Sequence, residues 1–91
     1  GPYVKIVIEG TNRALAAAEG ATLTTVEEFT GADEQLWRID QLIDGTYRIM
    51  PKAIPGCSEK LCLYSVADST PTLAKFDFND DNAKWDLKAH Q

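Results

Sequence analysis

The chain has 91 residues, with 14 Asp and Glu against 9 Lys and Arg, and 44% of its side chains are hydrophobic, an ordinary globular composition. That length supports one domain with a small core, and the net charge of −5 argues against a nucleic acid or an anionic membrane as partner, because both are met by basic stripes. The longest apolar stretch, Ala14–Ala18, is far below the ~20 residues of a membrane span, and no secretory leader is visible.

From residue 3 to residue 8 the chain alternates, placing Val4, Ile6 and Ile8 on one apolar face, which predicts a strand. Residues 12–20 contain good helix formers, with Asn12 as an N-cap and Gly20 at C′. Two turns of helix are marginal in water, however, and the repeat described below places a strand there, so a strand of small side chains is expected. Trp37 and Ile39 alternate with Arg38 and Asp40, and a strand from Tyr47 to Met50 ends at Pro51. Residues 61–66 are β-rich and nearly all apolar, and residues 72–78 alternate with Phe76 and Phe78 on one side. Trp85 and Leu87 close the series. Gly- and Asn-containing turn signals separate the runs, and eight short strands at about ten-residue spacing read as an all-β domain.

The runs repeat. Residues 1–6 parallel residues 44–49 at an offset of 43, Ala21-Thr22-Leu23 parallels Pro71-Thr72-Leu73 at 50, and residues 35–39 parallel residues 83–87 at 48. The chain is therefore read as a single all-β domain, 1–91, made of two four-stranded repeats, 1–43 and 44–91. Repetition at this period means that each copy buries its apolar face against another. Charge does not follow the repeat: residues 3–46 hold 8 acidic and 3 basic side chains and residues 47–91 hold 6 of each. This is read as drift over a solvated surface, with an acidic partner-facing side as the alternative. Trp37 and Trp85, at matched positions, are expected in the core, each burying some 150–250 Å².

The stretch Gln35-Leu36-Trp37 through Tyr47-Arg48-Ile49, followed by residues 60–66, 72–78 and 82–85 in the same unit order, resembles the ricin B-type lectins, whose repeats carry a Gln-x-Trp signature. Fungal trefoil protease inhibitors share that skeleton, and residues 83–89 are at least as similar to them. The resemblance implies a β-trefoil-related fold. A trefoil has three units and this chain has two, so an incomplete trefoil is expected, completed by another chain in a homo-oligomer or by a third repeat beyond this sequence.

The resemblance implies a non-enzymatic carbohydrate-binding module with degenerate sites. In ricin-type units a sugar is held by an acid, an aromatic and an Asn-Gln pair, which fix hydroxyl geometry and pack on the C–H face. The acid's place is Ala16 in unit one and Tyr64 in unit two. The aromatic is Phe29 in unit one and Phe76 or Phe78 in unit two, and the amide pair reads Glu34-Gln35 and Asn82-Ala83. Phe29, Glu34, Gln35, Tyr64, Phe78 and Asn82 are thus the candidate sugar contacts. The alternative is a protease inhibitor acting through residues 51–60, where two prolines stiffen a loop carrying Lys52, Ile54, Pro55 and Lys60. A scaffold without a ligand is the third reading. Cys57 and Cys62 either close this loop as a disulfide or leave Cys62 as a buried thiol. The only histidine, His90, has no residue to orient it for catalysis. Asp77, Asn79 and Asp81 have only the first spacings of a calcium loop. No enzyme activity, cofactor or metal is expected, the partners are a glycan or a protease, and the setting is secreted or fungal-type cytoplasmic.

Overall fold

The computed structural model describes residues 2–89, so Gly1, His90 and Gln91 lie outside the described residues. Its regular elements are seven short strands: β1 (Tyr3–Val4), β2 (Ala14–Ala18), β3 (Thr22–Val26), β4 (Trp37–Gln41), β5 (Tyr47–Pro51), β6 (Cys62–Tyr64) and β7 (Thr72–Ala74). Two 3-10 turns, Asp33–Gln35 and Asp81–Ala83, complete an all-β chain. No helix among the described residues is long and apolar enough to cross a membrane.

The strands form an antiparallel sheet in the order β1-β4-β5 and two separate hairpins, β2-β3 and β6-β7. Asp44-Gly45 turns β4 into β5: Asp44 Oδ1 accepts from the Thr46 N–H at 3.0 Å, Gly45 takes a positive φ of 88°, and Asp40 falls opposite Arg48. The Ala-rich segment is a strand whose Ala14, Ala16 and Ala17 are buried. Its small side chains pack beside the 3-10 turn that precedes Trp37. The core cluster joins Ala17, Trp37, Ile49, Ile54, Leu61, Leu63 and Leu73, with Trp85 partly buried against it.

Both indoles are tied down by the same device. Trp37 Nε1 donates to Leu15 O and Trp85 Nε1 donates to Leu63 O, each at 2.9 Å and each across 22 residues. A 3-10 turn ends two residues before each tryptophan, closed by the same pair of bonds: Gln35 N to Ala32 O with Leu36 N to Asp33 O, and Ala83 N to Asp80 O with Lys84 N to Asp81 O. Their flanks differ. Trp37 is opposite Val4 on β1 and Pro51 on β5 and is 0% exposed. Among the described residues Trp85 is opposite Tyr47 alone, through a reciprocal pair of 2.9 Å bonds, and it is only partly buried.

Several strand expectations are corrected. Residues 3–8 are not one strand: Tyr3 and Val4 pair with β4, while Ile6 O accepts from Leu15 N and Ile8 N donates to Arg13 O. Because the segment changes partner midway, its alternation does not hold one face inward; Ile6 packs on the core while Val4 is 45% and Ile8 42% exposed. The runs at 61–66 and 72–78 pair only over Cys62–Tyr64 and Thr72–Ala74, so Val66 and Phe78 are exposed. The last expected strand is a single bridge at Trp85, with Leu87 exposed. Set against the indoles, Val4 corresponds to Tyr47, the same offset of 43 that relates residues 1–6 to 44–49.

Candidate functional site

The exposed ring of Phe29 forms one side of a shallow cleft of about 470 Å³ lined also by Lys5, Val7, Asn12, Glu27 and Glu28. Three local features build it. The turn after Ile8 is fixed by Thr11, whose hydroxyl donates to Ile8 O at 2.8 Å and accepts from Arg13 N at 3.0 Å, which sets Asn12 at the rim. Arg13 then reaches across the hairpin, donating to Thr25 Oγ1 at 3.1 Å and pairing with Glu27 at 3.6 Å. Finally, Lys5 Nζ lies 5.4 Å from the centre of the Phe29 ring. An aromatic face, an amide and two carboxylates therefore meet in one exposed place.

The other unit-one candidates are elsewhere. Gln35 is buried, and its Oε1 accepts from the Thr30 N–H at 2.8 Å and the Thr30 hydroxyl at 3.3 Å, so this amide oxygen secures the chain before the 3-10 turn. Burial removes Gln35 from the candidate sugar contacts. Glu34, its neighbour in the 3-10 turn, does not line the Phe29 cleft.

In unit two the candidates are structural anchors. The Tyr64 hydroxyl donates to Lys75 O at 2.5 Å and accepts from Asp77 N at 2.9 Å, so it pins the chain leaving β7; burial pushes its pKa up. Asn82 Oδ1 accepts from the Ser65 hydroxyl at 3.3 Å, and Asn82 N donates to the capping carboxylate of Asp80. Phe78 lies beneath Lys84 Nζ, 3.8 Å from the ring centre, and the same ammonium pairs with Asp44 at 2.9 Å. The Lys84 hydrogen bond, helped by Thr46, holds the Asp44 carboxyl far below the usual carboxylate range.

The 51–60 loop is not a free arm. Ile54 is only 7% exposed and belongs to the core, which removes it as an inhibitory contact. Pro55 and Gly56 form a tight turn closed by Cys57 N donating to Ile54 O at 3.1 Å, with Gly56 at φ 71°. Lys52 pairs with Asp33 at 3.1 Å and sits 5.0 Å from the Tyr3 ring centre, whereas Lys60 is exposed. The loop walls a second groove, of about 560 Å³, whose floor is the outer face of β4 and β5. There Asp40 accepts from Arg38 Nε at 3.0 Å and Arg48 Nη2 at 3.3 Å. Burial opposes the Asp40 charge, but the two arginines outweigh it and lower its pKa, while the Asp40 hydrogen bond raises that of Arg38.

Cys57 is half-buried and Cys62 buried, both as free thiols; Cys62 Sγ lies 3.6 Å from Ala74 O and burial raises its pKa. Among the described residues no three His, Cys, Asp or Glu side chains gather to hold a metal ion. Asp77 instead shapes its own turn, accepting from Asn79 N at 2.9 Å. His90 lies outside the described residues.

Sequence reading missed Asn12 and Glu27 as cleft residues, and it missed the Arg38–Asp40–Arg48 cluster. The second was recoverable, because the Asp44-Gly45 hairpin fixes the register that sets Asp40 beside Arg48. No family model, no curated protein and no solved structure matches this chain.

Proposed function

We propose that the chain is a non-enzymatic carbohydrate-binding module, and that its sugar site is the cleft at Phe29. One observation carries this reading: an exposed aromatic ring, an amide (Asn12) and two carboxylates (Glu27 and Glu28) line the same open cleft. Such a set satisfies a sugar's hydroxyls while the ring covers its C–H face. The volume falls within the ~300–1,000 Å³ of small-ligand sites. Screening the chain on a glycan array tests this. Retention competed by the free sugar and lost in Phe29→Ala supports the reading; no retained glycan, or equal retention by the variant, refutes it. Protease inhibition through residues 51–60 has less behind it, since Ile54 is buried and Lys52 is paired, leaving Pro55 and the exposed Lys60. Inhibition of a protease that is lost in a Lys52→Ala, Lys60→Ala variant would favour it instead.

We further propose that the two indole-anchored halves are two units of a trefoil-type arrangement, completed by a further copy in a homo-oligomer. Support comes from the unequal flanks of Trp37 and Trp85: the strand on the far side of Trp37 has no counterpart beside Trp85 among the described residues. Leu87, two residues on, is exposed on the same segment. Sedimentation equilibrium is expected to show self-association that a Leu87→Asp substitution weakens. A monomer at all concentrations would refute this completion.

A further inference from the structure

We propose that the groove between the outer face of β4-β5 and the 51–60 loop binds a small molecule bearing a phosphate or sulfate ester. The chain is acidic, yet four of its nine Lys and Arg (Arg38, Arg48, Lys52 and Lys60) line this one groove, against two of its fourteen acids, Asp40 and Glu59, with Lys52 also paired to Asp33 outside the lining. A proportionate share of the chain's charge would make the groove negative; it is positive. The arrangement is also ordered. One carboxylate, Asp40, holds two guanidiniums from neighbouring strands, so one positive charge is left over and both planar forks are fixed in orientation. Arginine forks suit tetrahedral oxyanions because their N–H groups present paired donors. Arg48 Nε is buried with no hydrogen-bond partner among the described residues, so this cation is only partly compensated there. Lys60 adds an exposed ammonium with no ion-pair partner among the described residues.

The groove is also larger than an inorganic anion. About 560 Å³ leaves room beside the cations for an organic body, and Met50, Pro51, Ala53 and the Phe76 ring give that body an apolar surface. Arg48 already lies 5.4 Å from the Phe76 ring centre, which couples the apolar edge to the cationic one. No residue of this groove lines the Phe29 cleft, so the inference stands whether or not that cleft takes a sugar.

The test is calorimetric titration of the whole chain with phenyl phosphate, inorganic phosphate, inorganic sulfate and phenol at low and moderate salt. Phenyl phosphate is expected to bind at least tenfold more tightly than inorganic phosphate, with affinity falling as salt rises. Phenol is expected not to bind. Equal affinity for phenyl phosphate and free phosphate would overturn the ester assignment, and the absence of any oxyanion binding would overturn the site. Arg48→Gln is expected to weaken binding more than tenfold. Because Arg48 also anchors Asp40, the exposed Lys60→Gln serves as the second variant, with a three- to tenfold loss and a shallower salt dependence. Unchanged affinity in Lys60→Gln and in Arg38→Gln would overturn the proposal.

Discussion

Replacing each tryptophan by phenylalanine separates the two indoles by their surroundings. Each substitution removes one 2.9 Å indole hydrogen bond, to Leu15 O in the first case and Leu63 O in the second. At Trp37 the indole is fully buried, so the stranded carbonyl loses its partner without access to water. That costs about 1–3 kcal/mol. The missing ring volume adds part of the ~3–5 kcal/mol of a full truncation to alanine, for a total near ~3 kcal/mol. At Trp85 water replaces the donor and the void opens outward, so about 1 kcal/mol is expected. Equilibrium urea unfolding at sub-micromolar protein, below self-association, reads both. With a slope of about 1–3 kcal/mol per molar urea, the two midpoints should differ by roughly 1 M at unchanged slope. An equal or greater loss in Trp85→Phe under dilute conditions would refute the reasoning. If the proposed association covers that flank, the Trp85→Phe loss should grow at higher concentration.

Asp44 gives a pH prediction. Its pKa is depressed in the folded chain by Lys84 and Thr46, so the unfolded chain binds this proton more readily. The resulting stability is complete above the ordinary aspartate value near ~3.9 and is lost as pH falls below it toward the folded value. Asp44→Asn should therefore flatten the decline of the urea midpoint between about pH 4 and pH 2; an unchanged profile would exclude this carboxylate as a source. Gly56→Ala, at φ 71° in the Pro55-Gly56 turn, should destabilise by about 1–2 kcal/mol in the same assay. Gln35→Ala should cost about 1–3 kcal/mol by orphaning the Thr30 N–H, without altering glycan retention.

How much of the chain is legible from sequence depends on what fixes each element. The Ala-rich strand was legible because an offset near 48 relates its surroundings to residues 62–64, outweighing local helix propensity; Ala14, Ala16 and Ala17 are buried as that strand requires. The β4-β5 hairpin was legible because Asp44-Gly45 determines its turn. Residues 3–8 misled because alternation assumes one partner throughout, whereas this segment leaves β4 for β2 after Val4. The candidate site was legible only at Phe29. Gln35 and Tyr64 have the residue types of ligand contacts, but both spend their polar atoms on the backbone of neighbouring loops. Ile54 sits in a loop rich in exposed residues, and nothing local distinguishes it as the one that turns into the core. The Arg38–Asp40–Arg48 cluster needed the register of two strands at once, which alternation within either strand does not supply.

The most direct test of the proposed sugar site is an amide-resolved NMR titration of the whole chain with the strongest binder from the glycan array. Shifts concentrated at Lys5, Asn12 and residues 27–29, and absent in Phe29→Ala, are the predicted result. Shifts confined to residues 52–60, or spread over the surface without saturation, would contradict it.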